Sequence, residues 1–193
     1  MEQLKMYWLK GSEIPQPELP EGYSVTTYND ESDKLAWVEC CKNGLVSDNA
    51  TAEDFDRIVN ECGRISYEDD VFFLNYNGER IGTITAILLP GTKIGLVHMV
   101  GIRTEFRGKG LGKFLNAAAI KRLAEQDVDY IRLTTDEHRK GAVKSYLSSG
   151  FRPVEYAEGM QERWEAVLSD YNIDSLDMYN EDGSFYKTIY KKA

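Results

Sequence analysis

Long apolar runs are missing from this chain. No stretch approaches the ~20 consecutive apolar residues that a membrane-crossing helix needs, and the N-terminus carries no signal-peptide core, so a cytoplasmic protein without a membrane partner is expected. Cysteine and histidine are scarce. The three cysteines, Cys40, Cys41 and Cys62, lack zinc-ligand spacing, and with only His98 and His138 as imidazoles no metal site is expected. Cys40 and Cys41 follow Leu35, Trp37 and Val38 and read as part-buried helix residues rather than redox groups. Basic residues are outnumbered: 23 Lys and Arg against 32 Asp and Glu give a formal charge of −9 and a pI near 4.8. That balance argues against nucleic acid as the partner, since phosphate neutralisation needs a basic face. It serves solubility, and it also suits a cationic or amine-bearing partner.

What is present is enough for one well-buried core with at most a small appendage: 193 residues, 42% of them hydrophobic, without internal repeats. Three of the five prolines, at 15, 17 and 20, follow Met6–Leu9, so residues 1–22 read as an extended or loosely packed lead-in. A strand is expected at 23–28, and helices at about 31–43 and 51–61, the second opened by Thr51 with Asp54 three residues on. Val71–Tyr76, Asn77-Gly78 and Arg80–Leu88 spell a hairpin with a two-residue turn, and Pro90-Gly91 marks the turn into a strand at 94–102. A crossover helix at about 110–126 carries Leu111, Phe114, Leu115, Ala118, Ala119 and Leu123 at helical spacing. Asp129–Thr135 alternates as a strand. After a helix closing at Gly150, a strand from Phe151 is kept near an edge or a bulge by Pro153. Met160, Trp164, Val167 and Leu168 give a further helix, and the tail reads as a hairpin turning at Glu181–Gly183. The expected divisions are 1–22, 23–155 and 156–193.

The densest signal lies where the strand at 94–102 runs into Arg107-Gly-Lys-Gly-Leu-Gly-Lys113. Glycines at 108, 110 and 112 let the backbone adopt positive φ and approach a ligand, and a helix start leaves N–H groups free where the dipole favours an anion. Arg107, Lys109 and Lys113 concentrate positive charge there. A P-loop is excluded, because Phe114 follows Gly112-Lys113 and Arg107 stands where the first glycine belongs. A dinucleotide fingerprint is excluded because the third glycine comes one residue early.

The remaining Arg-x-x-Gly-x-Gly pattern resembles the pyrophosphate-binding loop of the GNAT superfamily of acetyl-coenzyme A-dependent N-acyltransferases. The later segment Ala142, Tyr146, Gly150-Phe151 is similar to that family's second signature. The resemblance implies an α/β fold: a central mixed antiparallel and parallel sheet flanked by helices, here with a C-terminal helix and hairpin beyond the matched signatures. It implies acetyl-CoA as co-substrate, and transfer to a primary amine on a small molecule or peptide by direct attack in a ternary complex. An acyl-CoA-binding sensor without turnover is the alternative. The protein is expected to act as a monomer or homodimer.

By the same resemblance the cofactor is met by Val100, Gly101 and Ile102 on the strand and by Arg107, Gly108, Lys109, Gly110, Leu111, Gly112 and Lys113 in the loop. Arg139 stands where many family members have asparagine, and its guanidinium is expected on a phosphate or an acidic neighbour. A protonated amine must lose a proton before it attacks a thioester. His98 is the candidate base, because in an extended strand His98, Val100 and Ile102 point to one side. Glu105 and Glu137 are weaker candidates. Val100 N–H is the expected donor to the developing oxyanion, and Tyr146 the expected acid for the departing thiolate. Asp136 and His138 are candidates for acceptor selection.

Overall fold

The computed structural model describes residues 2–63 and 65–192. Its strands are β1 (Leu4–Leu9), β2 (Tyr23–Thr27), β3 (Val71–Tyr76), β4 (Glu79–Leu88), β5 (Ile94–Ile102), β6 (Tyr130–Thr135), β7 (Arg152–Glu155), β8 (Ser175–Asn180) and β9 (Phe185–Tyr190). Its helices are α1 (Ser32–Cys41), α2 (Ala52–Val59), the single turn α3 (Tyr67–Asp70), α4 (Gly112–Ala124), α5 (Lys140–Ser148) and α6 (Met160–Tyr171). The strands form one sheet in the order β2-β3-β4-β5-β6-β1-β7-β8-β9, parallel at β5/β6 and β7/β8 and antiparallel elsewhere.

Local chemistry sets most of these elements. Asn77 and Gly78 both have positive φ, 48° and 84°, the conformation of a two-residue I′ turn. At the start of α2, Thr51 N–H donates to the Asp54 carboxylate at 2.9 Å. Gly150, at φ 93°, ends α5 and turns the chain into β7.

The division at residue 22 does not separate a lead-in from the sheet. β1 lies between β6 and β7, antiparallel to both, with Leu4 and Met6 fully buried. Its apolar residues find their partners more than a hundred positions away, which a local reading of a proline-rich neighbourhood does not reveal. Beyond residue 155, α6 and the β8/β9 hairpin follow, and the hairpin extends the same sheet through β7. That pairing also takes Pro153 off the sheet edge, and β7 makes only two register pairs with each neighbour.

The sheet is covered on both faces. Helices α4, α5 and α6 bury one face in a cluster that includes Met6, Trp8, Ile84, Val97, Leu115, Ile131, Leu133 and Trp164. Helices α1 and α2 cover part of the other, where Trp37, Phe55, Val59, Val71 and Phe73 pack together. Arg80 anchors α1 to β4 by donating from Nε and Nη2 to the two oxygens of the buried Asp33 carboxylate, each at 2.8 Å. Cys40 and Cys41 are buried in α1, and burial pushes the Cys40 thiol up to about 12.

Candidate functional site

Two irregularities in β5 make the site. First, β5 and β6 are in register only at Ile94/Tyr130, Gly95/Ile131 and Leu96/Arg132; beyond Leu96 the strands part. Second, β5 carries a bulge: Thr85 pairs with His98 but Thr83 pairs with Gly101, so Met99 and Val100 together oppose the single residue Ile84. Met99 takes φ 51° to make this possible. Val100 therefore has a register partner on neither side, a placement that suits a free backbone donor at the mouth of the gap.

The bulge corrects one expectation. An extra residue reverses the alternation, so His98 does not share a face with Val100 and Ile102. Val100 and Ile102 pack into the α4 cluster, whereas His98 is directed toward α2, with the Ile58 carbonyl beside its imidazole. Gly101 also faces α1: a Cβ there would lie 2.5 Å from the Cys40 carbonyl oxygen, so close helix packing accounts for this glycine.

His98 is half-buried, and its Nε2 is shut off from solvent without a partner among the described residues. Burial lowers its pKa below the ordinary histidine value, against a smaller opposing effect of the Ile58 carbonyl. The ring is thus neutral at pH 7 and able to accept a proton. The alternative carboxylates are committed elsewhere. Glu105 is exposed and held low by its own backbone N–H and by Arg103, and Glu137 is held low by its ion pair with Arg163. Asp136 accepts from Gln3 and Arg139, and His138 is exposed.

Tyr146 lies on the other side of the sheet. It projects from α5 into the core against Phe151, 6% exposed, and burial raises its pKa. Its hydroxyl makes no hydrogen bond to a described residue. His98 and Tyr146 thus lie on opposite faces of the sheet.

At the mouth of the gap the loop presents the surface expected of an anion site. No backbone N–H from Gly108 through Lys113 is paired with a carbonyl among the described residues. Gly108 and Gly110 have φ of 77° and 69° with open space where a Cβ would stand. Lys109 and Lys113 are exposed and form no ion pair with a described residue. Gly112 has a different reason: its missing Cβ would meet Ser145 Oγ at 2.6 Å, so it brings α4 against α5. Leu111 is buried and seats the helix start. A pyrophosphate fits these free N–H groups.

The two arginines are not free for it. Arg107 donates to the carbonyls of Ile102, Lys42 and Asn43 at 2.8, 3.0 and 3.3 Å. Arg139 donates to the Gly44 carbonyl at 2.6 Å and to Asp136 at 3.2 Å. Both clamp the loop after α1. Of the two partners expected for Arg139, a phosphate or an acidic neighbour, the structure provides the acidic one, Asp136. A long-range contact to backbone leaves no trace in sequence, so the charge of Arg107 alone suggested a phosphate role. An open groove of about 620 Å³ lies elsewhere, between α5 and β8, lined by Lys144, Arg152, Tyr171 and Asp177 among others, and includes neither His98 nor Tyr146. The residue that sequence reasoning passed over is Arg132, a charge at an alternating position of a central strand.

Comparison with known proteins identifies the architecture. The acetyltransferase (GNAT) family matches residues 13–151. The chain belongs to the GNAT family. It is 31% identical over 151 residues to the mycothiol acetyltransferase of Thermobispora bispora, covering 72% of this chain and 49% of that protein. It is 30% identical to the Streptomyces coelicolor mycothiol acetyltransferase, covering 74% and 47%. The chain thus spans about half the length of the curated relatives it matches. Among solved structures, a GCN5-related N-acetyltransferase from Sphaerobacter thermophilus superposes with TM-score 0.63 at 21% identity, covering 79% of this chain and 49% of that one. A tandem GNAT protein from the clavulanic acid biosynthesis pathway gives 0.57 at 17%, covering 79% and 50%. The mixed sheet flanked by helices is the GNAT fold.

Proposed function

We propose that this GNAT chain transfers an acetyl group from acetyl-CoA to the primary amine of a small molecule or peptide. The observation that carries the reading is the gap between β5 and β6, with unpaired loop N–H groups beyond the end of β5 and His98 on β5 beside it. Bound acetyl-CoA supplies an activated thioester.

The chain's own residues do the rest. The N–H groups of Gly108 to Lys113 hold the pyrophosphate, and Lys109 and Lys113 balance its charge. His98 Nε2 accepts a proton from the amine on the α1/α2 face. Val100 N–H stabilises negative charge on the carbonyl oxygen, and Tyr146 gives its hydroxyl proton to the departing sulfur from the opposite face. Arg107 and Arg139 keep the loop after α1 closed over this region. The mycothiol acetyltransferase names of relatives support a small-molecule acceptor.

Release of free thiol from acetyl-CoA across a panel of small amines and peptides tests the reading. Amine-dependent release is expected. Acetyl-CoA binding with no amine-dependent release favours an acyl-CoA sensor instead.

A further inference from the structure

Arg132 is an arginine without a partner among the described residues. It stands mid-strand on β6 with Leu96 of β5 and Tyr7 of β1 as register partners, on the face turned away from α4. Its neighbours Ile131 and Leu133 take the opposite face, in the core. The residue is half-buried, yet its guanidinium makes no hydrogen bond, ion pair or aromatic stack with a described residue. Every other described arginine donates to a carboxylate or a backbone carbonyl. A guanidinium drawn partly out of water without an anion is unfavourable, and its planar fork matches a carboxylate or phosphate through two parallel bonds.

Its place in the site gives this meaning. Leu96/Arg132 is the last register pair before the strands part, and His98 is two residues further along the same face of β5. Ordinary strand spacings would put the Cα atoms of Arg132 and His98 about 8 Å apart, and the parting of the strands sets them further apart than that, within the reach of a substrate a few bonds long. The end of α2 is on the same side, with the Ile58 carbonyl beside the His98 ring. Burial pushes the half-buried Cys62 thiol up and Glu61 adds to this, while the Arg132 charge opposes both.

We infer that Arg132 binds an acidic group of the acceptor, a carboxylate or a phosphate, so that the substrate is an amine carrying an anionic group a few bonds from its nitrogen. The inference rests on the acyl-transfer reading of the site. It sets a local preference against the net charge of −9, which by itself would favour a purely cationic acceptor.

The test uses ω-amino acids from β-alanine to 6-aminohexanoate, their primary amides, and 2-aminoethyl phosphate. Calorimetry measures their binding to the CoA-loaded protein, and thiol release measures KM and kcat. The wild type is expected to favour one acid or the phosphate over the matched neutral amine by about tenfold to hundredfold, the range of a charge-assisted hydrogen bond. Which of the two wins identifies the anion. Arg132→Met should erase the preference with acetyl-CoA affinity intact, and Arg132→Lys, which keeps charge without the fork, should retain part of it. Equal binding of acid and amide by the wild type, or a preference surviving in Arg132→Met, overturns the inference; the first result does not require either variant to fold. Turnover of amines without any acid preference removes the role of Arg132 and leaves acyl transfer standing. Arg132-dependent acid binding without amine-dependent thiol release does the reverse.

Discussion

Replacing His98 by glutamine separates a base from a packing residue through the shape of a pH profile. A primary amine with a pKa near 10.4 is unprotonated in only about one molecule in 2,500 at pH 7. A site that removes the proton itself escapes this restriction, and one that cannot must wait for the rare neutral amine. His98 Nε2 has no partner to lose among the described residues, and burial favours the neutral ring, so its pKa lies below the ordinary 6.5. The wild-type kcat/KM should therefore fall on an acidic limb below pH 6.5 and be nearly flat above it. In His98→Gln that limb should vanish, the rate at pH 7 should drop by about 10²-fold or more, and the rate should climb close to tenfold per pH unit toward the amine pKa. Stability has a linked sign: below pH 6.5 the unfolded chain binds a proton that the folded ring resists, so the wild type should lose stability as pH falls from 6.5 toward the lowered pKa. Steady-state thiol release from pH 5.5 to 9.5 reads the kinetic profile. A mutant retaining both the limb and the pH 7 rate would refute the assignment and leave water to carry the proton.

Three further substitutions probe separate parts of the site. Gly110→Val places a β-branched residue at φ 69°, at a backbone cost of about 1–2 kcal/mol, and should weaken acetyl-CoA binding at least tenfold by calorimetry. Tyr146→Phe removes a hydroxyl with no described protein partner, so melting temperature and acetyl-CoA affinity should hold while kcat falls ~10²- to 10⁴-fold; an unchanged kcat would reduce Tyr146 to packing. Gly101→Ala drives a methyl to 2.5 Å from the Cys40 carbonyl oxygen, and overpacking of about 1–3 kcal/mol should lower the melting temperature by roughly 2–12 °C. An unshifted melting curve would mean that α1 does not sit against β5.

Elements with local signals were legible in the sequence, and those set by distant contacts were not. Asn77-Gly78 carries its turn in two residues, and the glycines at 108 and 110 announce a loop with positive φ. β1 was hidden because its pairing joins positions such as Leu4 and Thr135. The bulge was hidden because Met99, at φ 51°, is neither glycine nor asparagine, so a strict two-residue period put His98 on the wrong face. Arg107 looks like a phosphate ligand by charge and Arg139 like a partner for a phosphate or an acidic neighbour such as Asp136, and only the fold brings the carbonyls of Lys42, Asn43 and Gly44 within their reach. Gly101 and Gly112 are explained by helix packing, against Cys40 and Ser145 respectively, which spacing alone does not distinguish from ligand contact.

Backbone amide shifts in a ¹⁵N-labelled sample titrated with coenzyme A test the central claim most directly, because the site is built from N–H groups. The largest changes should fall on Gly108 to Lys113 and on Val97 to Val100 along the parted segment of β5. Unmoved signals there, with changes gathered instead around Lys144 and Arg152 in the groove beside α5, would contradict it.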